Sequence, residues 1–337
     1  MSHGVRKLIS QFDDAMLQAA MTRFNMHGPC ENQNGYENHV YRCLRLGEPV
    51  ILRIGHTEHR TAGEVCAELA FLKHLHVEGC PVVRPLTSTT GQTIETLPIR
   101  DDDYFVVAAF TVAPGETLNL TTADKDIVKS LGETTARLHQ SSRTFSPASS
   151  TCKRPTWDRE TLNLLNRVTA RKLLSEDDAV VLAHVHDVIN IYQTKLKTAR
   201  DYGLIHADIH DTNFTCKGTT LTLFDFDDAL YGHYAYDLAV TLVETFSYER
   251  DDFTAVHTFL EHWLEGYTLV APFPKQWLEE LEFLMTARIL SSFLFVKQNA
   301  DGATSAWEEA HYQFCRTLAA RRTWHAFDIR SFLQNRP

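Results

Sequence analysis

Apolar positions along the chain fall first into strand-length runs and later into helix-length stripes. Residues 8–20 carry Leu8, Ile9, Phe12, Met16, Leu17 and Ala20 near helical spacing, which predicts a short amphipathic helix packed on the lobe behind it. After a loop, runs at roughly 38–45 and 50–54 flank Gly47-Glu48-Pro49 and read as a hairpin closed by that turn. Val65, Leu69, Leu72 and Leu75 then share one helical face. The segments TIETL and YFVVAAF, separated by a charged turn at 100–103, add strands and complete a small antiparallel lobe of five. Strand character stops at Pro114-Gly115, which predicts a hinge.

Beyond the hinge the spacing is helical. Ile127, Leu131 and Leu138 follow an acidic first turn. Residues 141–158 are rich in Ser, Thr and Pro and read as an exposed loop. Ser175 is placed to cap a helix whose stripe is Leu182, Val185, Ile189, Tyr192 and Leu196. The chain from 251 to 320 is helix-dominated, with a last helix from about 304, and Trp263, Tyr267, Phe283, Phe293 and Phe295 read as core.

Between these helical regions lies LIHADIHDTNFTCKGTTLTLFDFDD at 204–228, where His206, Asp208, His210, Asp211 and Asn213 follow an apolar pair. A turn at Gly218 opens LTLFDF, whose content suits a strand, and Asp225 follows it directly. A carboxylate at the edge of a buried element needs a cation nearby. Phosphoryl transfer from a nucleotide accounts for these residue types: Asp208 orients an acceptor hydroxyl, while Asn213 and Asp225 hold magnesium. A metal hydrolase is a rival reading. His206, Asp208 and His210 alternate as HxDxH, and on an extended segment all three would face one way.

The motif HxDxxxxN with a later apolar-DxD resembles the aminoglycoside phosphotransferase and choline kinase family, kinase-like enzymes in which HGDxxxxN and a later IDFD or IDWE replace the HRD and DFG of protein kinases. The match covers His206, Asp208, Asn213, Asp225 and Asp227, with Ala207 where that family often has Gly. The resemblance implies an α+β, two-lobed protein-kinase-like fold, with a nucleotide-binding lobe at 1–112 and a mainly helical catalytic and substrate-binding lobe at 113–337. It implies ATP and Mg2+ as cofactors, Asp208 as base and His206 as a brace of the catalytic loop. Asn34, Gly35 and Asn38 would form the phosphate-covering turn, although GxGxxG is absent. Arg53 stands where the family most often has the phosphate-binding lysine, and Glu68 is its expected partner, with Glu64 as the alternative. A solvent-facing strand arginine is the plainer reading of Arg53. Backbone groups near Ala109 and Thr111 would meet the adenine. Asp237 in the segment YDLA is expected either to cap a helix or to support the catalytic loop.

The acceptor stays open between a small polar alcohol, such as an aminoglycoside, choline or homoserine, and a protein Ser or Thr. Acidic residues at 227, 228, 237, 244, 249, 251 and 252 favour a cationic small molecule, whereas YENHVY is similar to bacterial stress-response kinases of this family. A catalytically idle nucleotide-binding regulator is a third reading.

Composition narrows the partners. A formal charge of −10 opposes binding to a nucleic-acid backbone. No run of about 18 uncharged apolar residues implies a membrane span, and the N-terminus lacks a signal-peptide core, so a cytoplasmic location is expected. Seven scattered cysteines without a CxxC pair are expected to be free thiols. Nothing in the sequence sets an oligomeric state.

Overall fold

The computed structural model describes residues 11–100, 102–147, 152–197, 200–246, 253–299 and 306–321. Leu8 and Ile9 of the expected first helix, and the acidic Glu249, Asp251 and Asp252, lie outside them. The chain divides into two compact units, one ending at Pro114 and including Phe145–Arg154, the other formed by Gly115–Thr144 and the chain from Pro155 onward.

The first unit opens with α1 (Asp14–Arg23), whose first turn is closed by Asp13 Oδ1 accepting the Met16 N–H at 2.8 Å. Five antiparallel strands follow: β1 (His27–Asn32), β2 (His39–Arg45), β3 (Glu48–His56), β4 (Ile94–Arg100) and β5 (Asp103–Thr111). Their spatial order is β1-β2-β3-β5-β4. Ala20, Met21 and Phe24 of the helical segment pack with Leu52, Ile54, Phe105, Val107 and Ala109 in one buried cluster. Helix α2 (Ala62–Val77) starts with a capping box in which Thr61 Oγ1 accepts from Glu64 N and Glu64 Oε2 accepts from Thr61 N.

Three sequence expectations are corrected here. β1 occupies a stretch expected to be loop: HGPCEN has no alternation, and it is a strand because it pairs with β2 at the sheet edge, where Pro29 costs no central ladder bond. The hairpin turn is Leu46-Gly47, at φ +54° and +86°, with Arg45 opposite Glu48, so Glu48 and Pro49 belong to β3. Cys30 and Cys43 are joined in a disulfide between β1 and β2, leaving Cys66, Cys80, Cys152, Cys216 and Cys315 as thiols. Pairing of the two strands brings their Cα atoms to 4.4 Å, a juxtaposition that a separation of 13 residues does not announce.

The second unit is mainly helical. It contains α3 (Lys125–Ser142), α4 (Trp157–Ala170), α5 (Ala179–Ile191), α6 (Ala235–Phe246), α7 (Phe253–Thr268), α8 (Lys275–Asn299) and α9 (Ala306–Arg321). α4 begins in the last two residues of the stretch expected to be loop and was not foreseen, although it buries Trp157, Thr161, Leu164, Leu165 and Val168 on one face. Val185, Ile189, Tyr192 and Leu196 of the next stripe are buried, as a core face requires, and the stripe ends in a π-helical turn at Tyr192–Leu196. Two small hairpin-like pairs hold the central motif: β6 (Tyr202–Ile205) with β9 (Leu230–His233), and β7 (Phe214–Lys217) with β8 (Thr220–Leu223).

Candidate active site

In the second unit the chain leaves β6 at Ile205 and turns at Ala207, whose φ is +66°. A left-handed residue with a β-carbon costs about 1–2 kcal/mol, which explains why glycine is favoured at this place in the resembled family. Helix α6 holds the turn in that conformation. Asp237, fully buried, accepts the Ala207 N–H on Oδ1 at 2.6 Å and the His206 N–H on Oδ2 at 3.3 Å, while His139 Nε2 reaches Oδ2 at 3.0 Å. One turn on, Thr241 Oγ1 donates to the Ile209 carbonyl at 2.8 Å. Asp237 is the third residue of α6 and serves the loop with its side chain, which settles the choice between cap and brace.

His206 is also spent on backbone. Its Nε2 donates to the Phe224 carbonyl at 2.9 Å, its Nδ1 accepts the Asp208 N–H at 3.3 Å, and its ring lies 4.4 Å from that of Phe226. The hydrolase reading fails on this point. The segment is not extended at Ala207, so the two histidines do not face one way, and neither nitrogen of His206 is left for a metal.

Asp208 has three side-chain partners. Its Oδ2 accepts from His210 Nε2 at 3.2 Å and from Asn213 Nδ2 at 2.7 Å, and its Oδ1 accepts from Arg288 Nη2 at 2.8 Å. Burial alone would raise its pKa, but His210 and Arg288 outweigh burial and hold the carboxyl well below the usual carboxylate range. Burial likewise disfavours charge on His210, yet Asp208 beside it pushes the imidazole up to about 10. The pair is therefore ionised across the neutral range.

The β7–β8 pairing places Phe214 opposite Leu223, and Phe224 N donates to the Asn213 carbonyl at 3.0 Å. Asn213 and Asp225 thus flank the open end of one hairpin. Asn213 Nδ2 faces two oxygens of Asp208, the carbonyl at 2.9 Å and Oδ2 at 2.7 Å, which fixes the amide orientation and leaves Oδ1 as its remaining acceptor. Asp225 has left-handed backbone, φ +58° and ψ +65°. An amide oxygen beside a carboxylate is the hard-oxygen donor set that suits magnesium or calcium.

In the first unit Arg53 Nη2 meets Glu68 Oε2 at 2.6 Å, with both side chains buried, and the guanidinium lies 5.1 Å from the Phe110 ring centroid. Arg53 is therefore not the solvent-facing arginine of the plainer reading. Glu64 is occupied in the capping box, which removes it as the alternative partner. Asn34, at φ +55°, donates its N–H to Asn32 Oδ1, and Asn38 lies over Gly55 of β3. A β-carbon on Gly35 would stand 2.5 Å from the Asn38 carbonyl oxygen, so the turn is as tight as a glycine allows. Of the backbone expected to meet the base, the Ala109 carbonyl accepts from Leu86 N at 2.8 Å and Thr111 N donates to the Arg84 carbonyl at 3.0 Å. An extended segment before β4 has taken the two groups that a strand end would otherwise leave open.

Sequence reasoning missed Arg288. In α8 it reads as one arginine in an apolar helix, yet its Nε and Nη2 meet Glu244 Oε1 at 2.9 and 2.8 Å as well as Asp208. Only the buried neighbours of its stripe hinted that the side chain points inward.

Comparisons with known proteins show the family and the fold. Residues 30–273 match the model of the phosphotransferase enzyme family. The amicoumacin kinase of Bacillus subtilis (strain 168) is 28% identical over 277 residues, covering 81% of each chain. Among solved structures, the amicoumacin kinase hAmiN in complex with AMP-PNP, Ca2+ and Ami superposes with a TM-score of 0.85 at 23% identity, over 97% of this chain and 99% of that one. A microcompartment-associated aminopropanol kinase gives 0.71 at 20% identity, over 92% and 97%. With residues 30–273 of 337 matched by the family model, the chain belongs to the phosphotransferase enzyme family, as a kinase of the aminoglycoside phosphotransferase and choline kinase-like group.

Proposed function

We propose that the protein moves the γ-phosphate of ATP, with Mg2+, to a hydroxyl of a small alcohol that also carries an amine. The observation that carries the reading is the set of partners on Asp208: with three of its four lone-pair directions filled, the carboxylate retains one, on Oδ1, for an acceptor O–H. Because its charge is strongly stabilised, Asp208 is a weak base, and its work is to orient the hydroxyl while the loose transition state forms. Asn213 Oδ1 and the Asp225 carboxylate would hold the metal, which when bound neutralises charge on the phosphates. Arg53, set by Glu68, would bind phosphate oxygens through its planar fork, and the turn of Asn34, Gly35 and Asn38 would cover them. Backbone beyond Thr111, rather than the Ala109 carbonyl or the Thr111 N–H, would meet the base.

The acceptor class is supported by what the relatives are named for, amicoumacin and aminopropanol, and by the acidic Asp227 and Asp228 of this unit. Among the described residues no helix is long and apolar enough to cross a membrane. A cytoplasmic location belongs to the same proposal, since ATP is supplied there. The test is ADP release with the purified protein across amicoumacin, aminoglycosides, aminopropanol, ethanolamine, choline, homoserine and a generic protein substrate. Turnover with an amino alcohol supports the proposal. Turnover with the protein alone, or tight ATP binding with no turnover at all, rejects it.

A further inference from the structure

Helix α6 reaches the loop of Asp208 through three side chains on one face, two directly and one through Arg288. Asp237, Thr241 and Glu244 are spaced i, i+4 and i+7, which aligns them along the helix. The first holds the amides of His206 and Ala207, and the second holds the Ile209 carbonyl. The third does not touch the loop: Glu244 Oε1 binds Arg288 Nε at 2.9 Å and Nη2 at 2.8 Å, and Arg288 Nη2 binds Asp208 Oδ1 at 2.8 Å. The three side chains are between 17% and 19% exposed, so the relay is screened but not sealed.

A guanidinium facing a lone carboxylate tends to bind it in a fork, through two parallel N–H bonds. Here the Nε–Nη2 edge is given to Glu244, and Asp208 receives a single bond from Nη2. Nε and Nη2 converge on the single Oε1 of Glu244, and since Asp208 Oδ2 is filled by His210 and Asn213, Glu244 thereby keeps the same two donors from converging on Asp208 Oδ1. We propose that Arg288 and Glu244 are positioning residues for Asp208: Arg288 fixes the carboxylate so that one lone pair of Oδ1 is aimed at the acceptor hydroxyl, and Glu244 keeps that lone pair open. The assignment rests on the kinase reading above for what the lone pair receives.

The test uses the full chain and the variants Arg288→Ala, Arg288→Lys, Glu244→Gln and Arg288→Ala with Glu244→Gln, assayed on whichever amino alcohol the parent phosphorylates. Arg288→Ala is expected to lower kcat by about 10²-fold with the nucleotide KM unchanged, the scale of a misplaced reacting group. Arg288→Lys restores part of that loss, because it keeps a donor on Asp208. Glu244→Gln lowers kcat by about tenfold in the parent and adds nothing once Arg288 is gone, the mark of a residue acting through another. A raised acceptor KM with unchanged kcat in Glu244→Gln would overturn the proposal and make Glu244 an acceptor-binding group. Equal kcat in all variants, corrected for folded fraction, would overturn it in favour of a structural role. Should the parent phosphorylate no acceptor, the functional reading falls, and urea unfolding of Asp208→Asn, Arg288→Ala and their double variant still tests the relay. Non-additive midpoint shifts support it, and additive shifts overturn it.

Discussion

The loop at 206–213 and the Arg53–Glu68 pair both keep charge where water is scarce, and the chain secures them in unlike ways. The loop is held redundantly: Asp237, Thr241, His139, Arg288 and Asn213 all bond to it or to its brace, and removing one leaves the others in place. The pair is joined by one hydrogen bond between a strand and a helix, and Glu68 Oε1 is buried without a hydrogen-bond partner. An orphaned buried carboxylate oxygen costs stability, and its retention fits a group kept for function. The orientation of the Asp208 carboxylate, proposed to face the hydroxyl, is built into the second unit by itself, whereas Arg53, proposed to grip phosphate in the first unit, is set against one carboxylate oxygen of Glu68.

Substitutions that break this contrast rank by size. Asp208→Asn keeps the shape of the side chain and its hydrogen bonds to one side but loses its charge, so transfer should fall by about 10³-fold while nucleotide binding persists, read by single-turnover assay and nucleotide titration. Transfer at the parent rate would remove Asp208 from the reaction. Asp237→Ala strands two buried amides and the His139 imidazole, and should cost about 3 kcal/mol in urea unfolding, with activity lowered but not abolished because Thr241, Arg288 and Asn213 still hold the loop. Glu68→Gln should raise the nucleotide KM by about tenfold with a smaller change in kcat, a scale near ~1.4 kcal/mol. If Glu68→Gln instead destabilised the fold as much as Asp237→Ala and left KM alone, the pair would be a structural clamp and the contrast would collapse. Smallest of all, Ala207→Gly should stabilise by about 0.5 kcal/mol, because relief of the left-handed backbone at φ +66° is offset in part by the entropy of a glycine in the unfolded chain. A loss of stability there would mean that the buried Ala207 methyl packs well enough to repay its backbone.

Much of the second unit's motif was legible because it is local. Gly218 between two β-branched runs announces a hairpin, and a hairpin of that length brings residues 213 and 225 to the same end whatever surrounds it. Glu68 was legible as the partner of Arg53 through the family resemblance, and only the capping box at Thr61 eliminated Glu64. The edge strand at 27–32 was not legible, since a segment paired on one side needs no alternation, and neither was the Cys30–Cys43 link that depends on its register. The partners of the Ala109 carbonyl and the Thr111 N–H were not legible either, because nothing near them in sequence shows that residues 84–86 return to meet them.

What the chain alone determined, then, is the list of chemical groups and the short-range geometry that joins them: the spacing of 206, 208 and 213, the hairpin that returns to 225, and the helix that carries Glu68. Tertiary structure decided which neighbours those groups acquire. Arg288 lies 80 residues from Asp208 in sequence, and His139 lies 98 from Asp237. No periodicity encodes such distances, because the packing of whole helices, driven by their apolar faces, brings the polar residues on those helices to one loop.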